Sequence, residues 1–290
     1  LLADLQLKRG LELVPREQLE RLTETSHIIA ELCNQTTSST SPYVGHTAFS
    51  HKAGLHASAL AKAPDMYNHI DPAEVGNRQR LVVSELAGRS NIVLKAKELG
   101  VELTDDQART VLAEVKQRES TGWSYEAADA SFELLARRLT GTLPDAKEPF
   151  RSLHYRVSVA GGDGETPHEG PAEAILAIEI DGERKLGAGE GNGPVDALYQ
   201  AFRNAVNGTW PQLDAVHLSD YKVRILESDS ASRDHGQAAG TGATTRVLIS
   251  STDGRQVWDT VGVHPNIVEA SWMALEDAYT HAILRESWDE

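Results

Sequence analysis

The chain has 290 residues, enough for one large domain or two of ordinary size. Its formal net charge of -15 argues against a nucleic-acid surface, because phosphate binding needs a concentrated basic patch. No apolar run approaches the length of a membrane span, and the single cysteine, Cys33, excludes an internal disulfide and a cysteine-cluster metal site. We therefore expect a cytoplasmic globular protein that binds neither nucleic acid nor membrane.

The first 149 residues are predicted to be mainly helical. Pro15 can occupy the first turn of a helix over 16–34. The residues expected to form its apolar stripe are Leu19, Leu22, Ile29 and Leu32. Residues 35–42, QTTSSTSP, form a polar low-complexity break after this helix.

Three more helices are expected further along. They are predicted over 90–100, 104–118 and 124–139. The second of them opens with Thr104 and Gln107, a capping box in which each side chain satisfies an unpaired backbone donor. Residues 140–149, TGTLPDAKEP, have the composition of a linker.

Titratable side chains are dense in residues 48–77, AFSHKAGLHASALAKAPDMYNHIDPAEVGN. His51 and His56 are five residues apart, so on a helix they would not share a face as metal ligands at i and i+4 do. Acid–base chemistry is more credible, since a histidine titrates near neutrality and the hydroxyl of Tyr67 can donate a proton. The alternative is that these side chains only bond to loop carbonyls.

After Pro149 the sequence favours strands and contains an internal repeat. Each copy has a strand, a turn at Asp-Gly (181–182 and 253–254), a second strand and a helix, and another strand precedes each copy. The helix starts match, with Gly193 and Asp196 corresponding to Asn266 and Glu269. The apolar stripes that correspond are Val195, Leu198, Tyr199 and Phe202 against Val268, Ser271, Trp272 and Leu275. Residues 150–290 therefore read as two β-β-β-α units sharing one core.

Glycines cluster at two places in this half. The segment GAGEGNGP contains Gly187, Gly189, Gly191 and Gly193, and AAGTGATTR contains Gly240 and Gly242. Both segments could present backbone donors to an anion at a helix N-terminus. The alternative is that they only form tight turns. The first is not a dinucleotide fingerprint, because the β-α-β context is missing.

Taken together, these segments resemble the 2-isopropylmalate synthase/homocitrate synthase family. The resemblance rests on AFSHKAGLHASAL, HIDPAEVGNRQRLVVSELAGRSNI and VGVHPNIVEASWMALEDA, whose variants look most like the citramalate synthase branch. GNGPVDAL and GTGATTRVLI look like the family's C-terminal regulatory and dimerisation domain. The resemblance covers nearly the whole chain, with several independent motifs in the expected order.

The resemblance implies a fold and a domain order. The class is α+β, with helical linker subdomains after the tail of a TIM barrel and then a regulatory domain. Residues 1–34 would be the barrel tail, 35–75 a flexible linker subdomain with active-site residues, 76–149 a helical subdomain, and 150–290 the regulatory and dimerisation domain. The chain would thus be the C-terminal portion of the enzyme.

The resemblance also implies an activity. In this family acetyl-CoA is condensed onto a 2-oxo acid beside a divalent metal (Mg, Mn or Zn), whose barrel ligands match nothing in this chain. We expect the chain to hold no metal and to be inactive alone. The matching motif positions are His56 and Tyr67, with His51 in support. Many members have an acidic residue where Ser58 stands, and a serine orients the imidazole more weakly.

The reaction most consistent with the resemblance is acyl transfer from acetyl-CoA to pyruvate, giving citramalate for isoleucine biosynthesis. A 2-isopropylmalate synthase of leucine biosynthesis and a stand-alone sensing module without catalysis are the alternatives. The regulatory domain is expected to form a homodimer and to bind a branched-chain amino-acid effector. The expected effector residues are Gly187, Gly189, Gly191, Gly193, Asp196, Gly240, Thr241, Gly242 and Thr244.

Overall fold

The structure is a computed structural model that describes residues 1–33, 35, 38, 40–45, 47–51, 69–81, 88–144, 147–159, 170–226, 243–285 and 288. The chain divides into two compact units, Leu1–Glu98 and Leu99–Glu290. Within the described ranges, no helix combines the length and the apolar character needed to cross a membrane.

In the first unit, the helix predicted over 16–34 is divided in two. Helix α1 spans Arg16–Leu19 and α2 spans Leu22–Leu32. The chain turns at Glu20, whose carbonyl is approached so closely by Gly76 that a Cβ on residue 76 would lie 2.1 Å from it. The turn places Leu19 in a small core with Phe49 and Val75. Beyond the turn, Leu22 of the predicted apolar stripe packs against this core, whereas the prediction is wrong for Ile29 and Leu32, which are exposed.

The rest of the first unit is built from short elements. Strand β1, Ser50–His51, pairs in parallel with β2, Arg80–Leu81. A 3₁₀ turn over Pro72–Val75 is capped by Asp71, whose side chain accepts a bond from the Ala73 amide at 3.0 Å. Helix α3 spans Arg89–Glu98, and Gly100 follows it with a positive φ of 75°. A glycine after the last turn is the usual end of a helix, as predicted.

The second unit begins with two helices. Helix α4, Asp105–Ser120, carries the predicted capping box: the Gln107 amide donates to Thr104 Oγ1 (3.3 Å), and the Thr104 amide donates to Gln107 Oε1 (2.9 Å). Helix α5, Asp129–Thr140, starts five residues later than predicted. The residue before it, Ala128, has a non-helical backbone, with φ of -139° and ψ of 59°, and Tyr125 is buried against Trp123 and Phe132.

Two three-stranded antiparallel sheets make up most of the second unit, which is a mixed α+β structure as predicted. The first sheet contains β3 (Arg151–Ser158), β4 (Ala172–Ile180) and β5 (Glu183–Gly191), in that order. The second contains β6 (His217–Ile225), β7 (Thr245–Thr252) and β8 (Val257–His264). Helix α6 (Pro194–Ala205) follows the first sheet, and α7 (Ile267–Leu284) follows the second.

The two predicted Asp-Gly turns differ in geometry. Asp181 and Gly182 both have positive φ, 51° and 80°, and Ile180 pairs directly with Glu183 across a two-residue turn. The second turn spans four residues, 253–256. There the Asp253 carboxylate accepts bonds from the Arg255 and Gln256 amides at 2.9 and 2.8 Å. Aspartate thus supplies a turn conformation in one hairpin and acceptor atoms in the other.

A single core joins the sheets and the helices of this unit. Helix α6 packs on β5 and β4, α7 packs on β8 and β7, and α5 packs on α7 and β8. Phe202 and Tyr279 stack at its centre with ring centroids 4.1 Å apart. The predicted stripes are buried at Leu198, Phe202, Ser271, Trp272 and Leu275.

Strands β3 and β6 share an irregularity. Each is an edge strand of its sheet as described. The pairing register shifts between Ser152 and His154 in β3, and between Leu218 and Asp220 in β6. Such a bulge inserts one residue and turns the side chains beyond it to the other face of the strand.

Candidate functional site

The histidine-rich segment is described only in part. His56 and Tyr67 lie outside the described residues, so their catalytic role stays a prediction. The backbone of His51 lies in β1 and pairs with Leu81.

His69, near the end of this segment, is among the described residues. His69 stacks on Phe49 with ring centroids 5.7 Å apart and meets the edge of Tyr43 at 5.4 Å. Burial lowers the pKa of His69, and the positive charge of Lys8 lowers it further. Both effects favour the neutral imidazole.

Three of the candidate glycines lie inside strand β5, so the interpretation of Gly187–Gly191 as tight turns is wrong. Gly187, Gly189 and Gly191 pair with β4 and face α6. A Cβ on Gly187 would lie 2.0 Å from the Ala201 carbonyl oxygen, and one on Gly189 would lie 2.3 Å from the Ala201 nitrogen. These glycines therefore allow the backbone of α6 to rest directly on the strand.

The remaining candidates lie near the start of α6 or in the loop before β7. Gly193 is the N-cap of α6, as predicted, and Asp196 stands at its third position. Asp196 Oδ2 accepts a bond from the Asn192 amide at 2.9 Å. Thr244 accepts a backbone bond from Leu226 at 2.8 Å. The other loop candidates, Gly240, Thr241 and Gly242, lie outside the described residues.

A mostly apolar cavity of about 430 Å³ adjoins Asp196. Its lining comes from α6 (Val195, Asp196, Tyr199), β6 (His217, Leu218, Tyr221) and α7 (Leu275). The volume lies within the usual range of about 300–1,000 Å³ for small-ligand sites.

Two tyrosines fix the walls of this cavity. The Tyr199 hydroxyl donates to the Val216 carbonyl at 3.2 Å, and the hydroxyls of Tyr221 and Ser271 are 2.7 Å apart. Asp196 provides the carboxylate among the lining residues. The arrangement suits a small molecule with one cationic group and an apolar side chain.

The strand residues of this cavity were not identified from the sequence. Leu218 and Tyr221 are three residues apart, so in a regular strand they would face opposite sides. The bulge in β6 brings both to the same cavity. The sequence HLSDYKVRI does contain a signal, because the alternation of apolar and polar residues is interrupted between Leu218 and Tyr221. Ser219, which lies in this interruption, is the residue that the bulge inserts.

A second, more polar cavity of about 860 Å³ lies between β3 and α7. Arg138 spans one side of it, with its guanidinium 2.7 Å from Glu148 Oε1 and 2.7 Å from Asp277 Oδ1. On the other side, the Tyr155 hydroxyl donates to Glu269. Burial is the main reason that the pKa of Glu276 rises to about 7, and the nearby acids Asp277 and Glu269 raise it further.

The divalent metal implied by the resemblance does not fit the described part of the chain. Among those residues, no group of three or more His, Cys, Asp or Glu side chains could hold a metal ion.

Comparison with known families matches two segments of the chain. Residues 43–122 match the homocitrate synthase post-HMGL domain-like family. Residues 126–283 match the LeuA allosteric (dimerisation) domain family. The second match includes α5, both sheets, α6 and nearly all of α7, so α5 belongs with the sheets in this comparison as it does in the packing.

Curated relatives cover nearly the whole chain. An (R)-citramalate synthase of Streptomyces coelicolor is 46% identical over 98% of this chain and 51% of its own length. One of Aquifex aeolicus is 40% identical over 99% of this chain and 52% of its own. A probable 2-isopropylmalate synthase of Methanopyrus kandleri is 30% identical over 71% of this chain and 39% of its own. The chain thus spans about half the length of the citramalate synthases that it matches.

Proposed function

This chain belongs to the 2-isopropylmalate synthase/homocitrate synthase family and most resembles its citramalate synthases, and from this we propose that it is the C-terminal part of such an enzyme. The whole enzyme would condense acetyl-CoA with pyruvate, and water would hydrolyse the resulting thioester, giving citramalate and CoA. The observation that carries the proposal is identity of 46% and 40% to two citramalate synthases along nearly the whole chain. A 2-isopropylmalate synthase is the second candidate, because a relative of that name is 30% identical.

The proposed catalytic contribution of this chain is acid–base chemistry. The condensation turns a ketone oxygen into an alkoxide, which Tyr67 and His56 would stabilise and protonate, with His51 in support. When bound in the barrel, the divalent metal would polarise the 2-oxo acid. The chain alone should release no CoA from acetyl-CoA and pyruvate with Mg²⁺ or Mn²⁺, and metal-dependent turnover by it would contradict the proposal.

The proposed regulatory contribution lies in residues 150–290, as two β-β-β-α units that form a homodimer and bind a branched-chain amino acid, isoleucine before leucine. The apolar cavity supports this proposal. The effector's ammonium would meet Asp196, and its side chain would lie against Leu218 and Leu275.

The effector carboxylate would lie at the start of α6. The amides of Val195 and Asp196 precede the first intrahelical bond, from the Ala197 amide to the Gly193 carbonyl, and a helix N-terminus favours an anion. In this proposal the glycines of β5 act by holding α6 in place. The loop residues Gly240, Thr241, Gly242 and Thr244 remain candidate contacts.

Calorimetric titration of the chain with isoleucine, leucine and valine tests the regulatory proposal. Isoleucine at about 100 times its Kd should stabilise the fold by roughly 2.7 kcal/mol. Leu218→Ala should weaken binding by roughly 10-fold, because an apolar side chain of the cavity is lost. Val223→Ala is the matched control, since Val223 is a similarly exposed residue of β6 that does not line the cavity.

Three results would count against these proposals. The absence of heat and of a melting shift with all three amino acids at about millimolar concentration would exclude the sensing role. Equal losses in Leu218→Ala and Val223→Ala would place the effector elsewhere. A gene whose coding sequence upstream of Leu1 lacks a barrel with a His-x-His motif would favour the stand-alone module.

A further inference from the structure

The polar cavity occupies a place in the fold that mirrors that of the apolar cavity. The apolar cavity lies between the bulged strand β6 of the second sheet and helix α6, which follows the first sheet. The polar cavity lies between the bulged strand β3 of the first sheet and helix α7, which follows the second sheet. In each, a strand tyrosine (Tyr155 or Tyr221) comes two residues after the inserted residue. The two cavities are therefore built in the same way but with different chemistry.

Charge pairing within the polar cavity is uneven. The guanidinium of Arg138 is shared between Glu148 and Asp277. Arg118 is held by Glu114 at 2.6 Å, and Arg151 by Glu179 at 3.1 Å. These positive charges are thus already neutralised by carboxylates of the chain itself.

Two carboxylates of the same cavity lie beside neutral hydroxyls. Glu269 accepts a bond from the Tyr155 hydroxyl, and the Ser152 side chain is near enough to Glu276 to lower the pKa of that carboxyl. Ser152 in turn accepts a bond from the Trp272 indole at 3.1 Å. Among the described residues, the ion pairs of the cavity include neither Glu269 nor Glu276, and Arg138, whose charge acts on Glu276, is already paired with Glu148 and Asp277.

The spacing of these two acids indicates what would fit between them. They are seven residues apart on α7, two helical turns, which places them on one face and about 10 Å apart along the axis. The rings of Tyr155 and Trp272 also line the cavity, and aromatic faces attract organic cations. A metal ion is less suited, since the described residues provide no group of three or more metal-binding side chains.

We propose that this cavity is a second ligand site, distinct from the effector cavity, and that it binds an aliphatic diamine or polyamine. One ammonium group lies at Glu269 and another at Glu276, and the methylene chain lies against Trp272 and Tyr155. The burial that raises the pKa of Glu276 to about 7 is consistent with a carboxylate that becomes fully ionised when a cation arrives. Binding near neutral pH should then release a proton from Glu276.

Titration calorimetry of the 290-residue chain with 1,5-diaminopentane tests the proposal. Two buffers of different ionisation enthalpy report the proton released on binding. We expect 1-aminopentane to bind at least about 10-fold more weakly, because it offers one charge for two carboxylates. Glu276→Gln and Glu269→Gln should each weaken diamine binding by about 10-fold or more. Glu276→Gln should also abolish the proton release.

The matched control is Glu173→Gln, which removes one negative charge from an exposed position on β4. It should leave the diamine affinity within about 2-fold of the unchanged chain.

Absence of binding at about 10 mM diamine, equal affinity for the monoamine, or equal losses in all three variants would overturn the proposal. A Glu276→Gln variant that altered self-association and left diamine affinity unchanged would assign the cavity to a second copy of the chain and also overturn it. Should Glu276→Gln not fold, Glu269→Gln decides the same question. Isoleucine titration of the same variants shows whether the effector cavity can still bind its ligand, so failure of the diamine proposal is distinguished from failure of the effector proposal.

Discussion

Replacement of Gly189 by alanine should destabilise the second unit because no space exists for a methyl group. The added Cβ would lie 2.3 Å from the Ala201 nitrogen and 2.7 Å from the Ala197 carbonyl oxygen. Both atoms belong to the backbone of α6, so no side-chain rotation can relieve the contact, and the helix must move off the strand. Overpacking of this kind costs about 3 kcal/mol, offset by the roughly 0.5–1 kcal/mol that alanine gains over glycine in a strand. We expect a net loss of about 2 kcal/mol.

Tryptophan fluorescence can follow this loss selectively, because every tryptophan of the chain lies within Leu99–Glu290. A loss of about 2 kcal/mol should lower the melting temperature of a unit of this size by roughly 4–8 °C. Gly193→Ser is the control from the same glycine-rich segment. Its Cβ meets no atom within 4 Å, and its hydroxyl can cap α6, so its stability should stay within about 0.5 kcal/mol of the unchanged chain. The reasoning is refuted if Gly189→Ala melts at the same temperature as Gly193→Ser.

Three further predictions concern other parts of the chain. Ser131→Ala should cost about 1–3 kcal/mol in urea unfolding, because the buried Val261 amide loses its acceptor at 3.0 Å, whereas the exposed Ser219→Ala should change stability little. The raised pKa of Glu276, about 7, means that the folded chain holds a proton that the unfolded chain has lost. Its ionisation therefore reduces stability as pH rises from about 4.5 to 7, so Glu276→Gln should gain up to about 3 kcal/mol relative to the unchanged chain between pH 5 and 8. Equal pH profiles for the two proteins would contradict this. In the full-length enzyme, Tyr67→Phe should lower kcat by roughly 10²-fold with a much smaller rise in KM, and an unchanged kcat would remove Tyr67 from the reaction.

Caps and tight turns could be predicted from the sequence, because each depends on only a few consecutive residues. The capping box of Thr104 and Gln107 needs only four consecutive residues, and it starts α4 as predicted. The two-residue turn at Asp181 and Gly182 depends on two positive φ angles that this pair adopts readily. The N-cap at Gly193 follows in the same way from the proline and the aspartate after it.

Features that depend on distant residues were not predictable in this way. The division of α1 from α2 accompanies the approach of Gly76, more than fifty residues away in sequence, to the Glu20 carbonyl. The role of Gly189 depends on a helix that packs across it, and a glycine pattern alone does not distinguish such a strand from a turn. The bulge at Ser219 is set by pairing with β7, and it decides that Leu218 and Tyr221 share a cavity.

Helix α7 lines both cavities, with Leu275 in the apolar one and a set that includes Glu269, Glu276 and Thr280 in the polar one. The same helix is fastened to α5 by Asp277, which bonds Ser131 and Arg138 at 2.7 Å each. Two ligands that bind in these cavities would thus both contact helix α7. A shift of the helix caused by one ligand would alter the affinity of the other cavity for its own ligand. Such coupling is reciprocal: whatever factor a diamine imposes on isoleucine affinity, isoleucine must impose on diamine affinity. The occupancy of each cavity would then depend on the concentrations of both ligands.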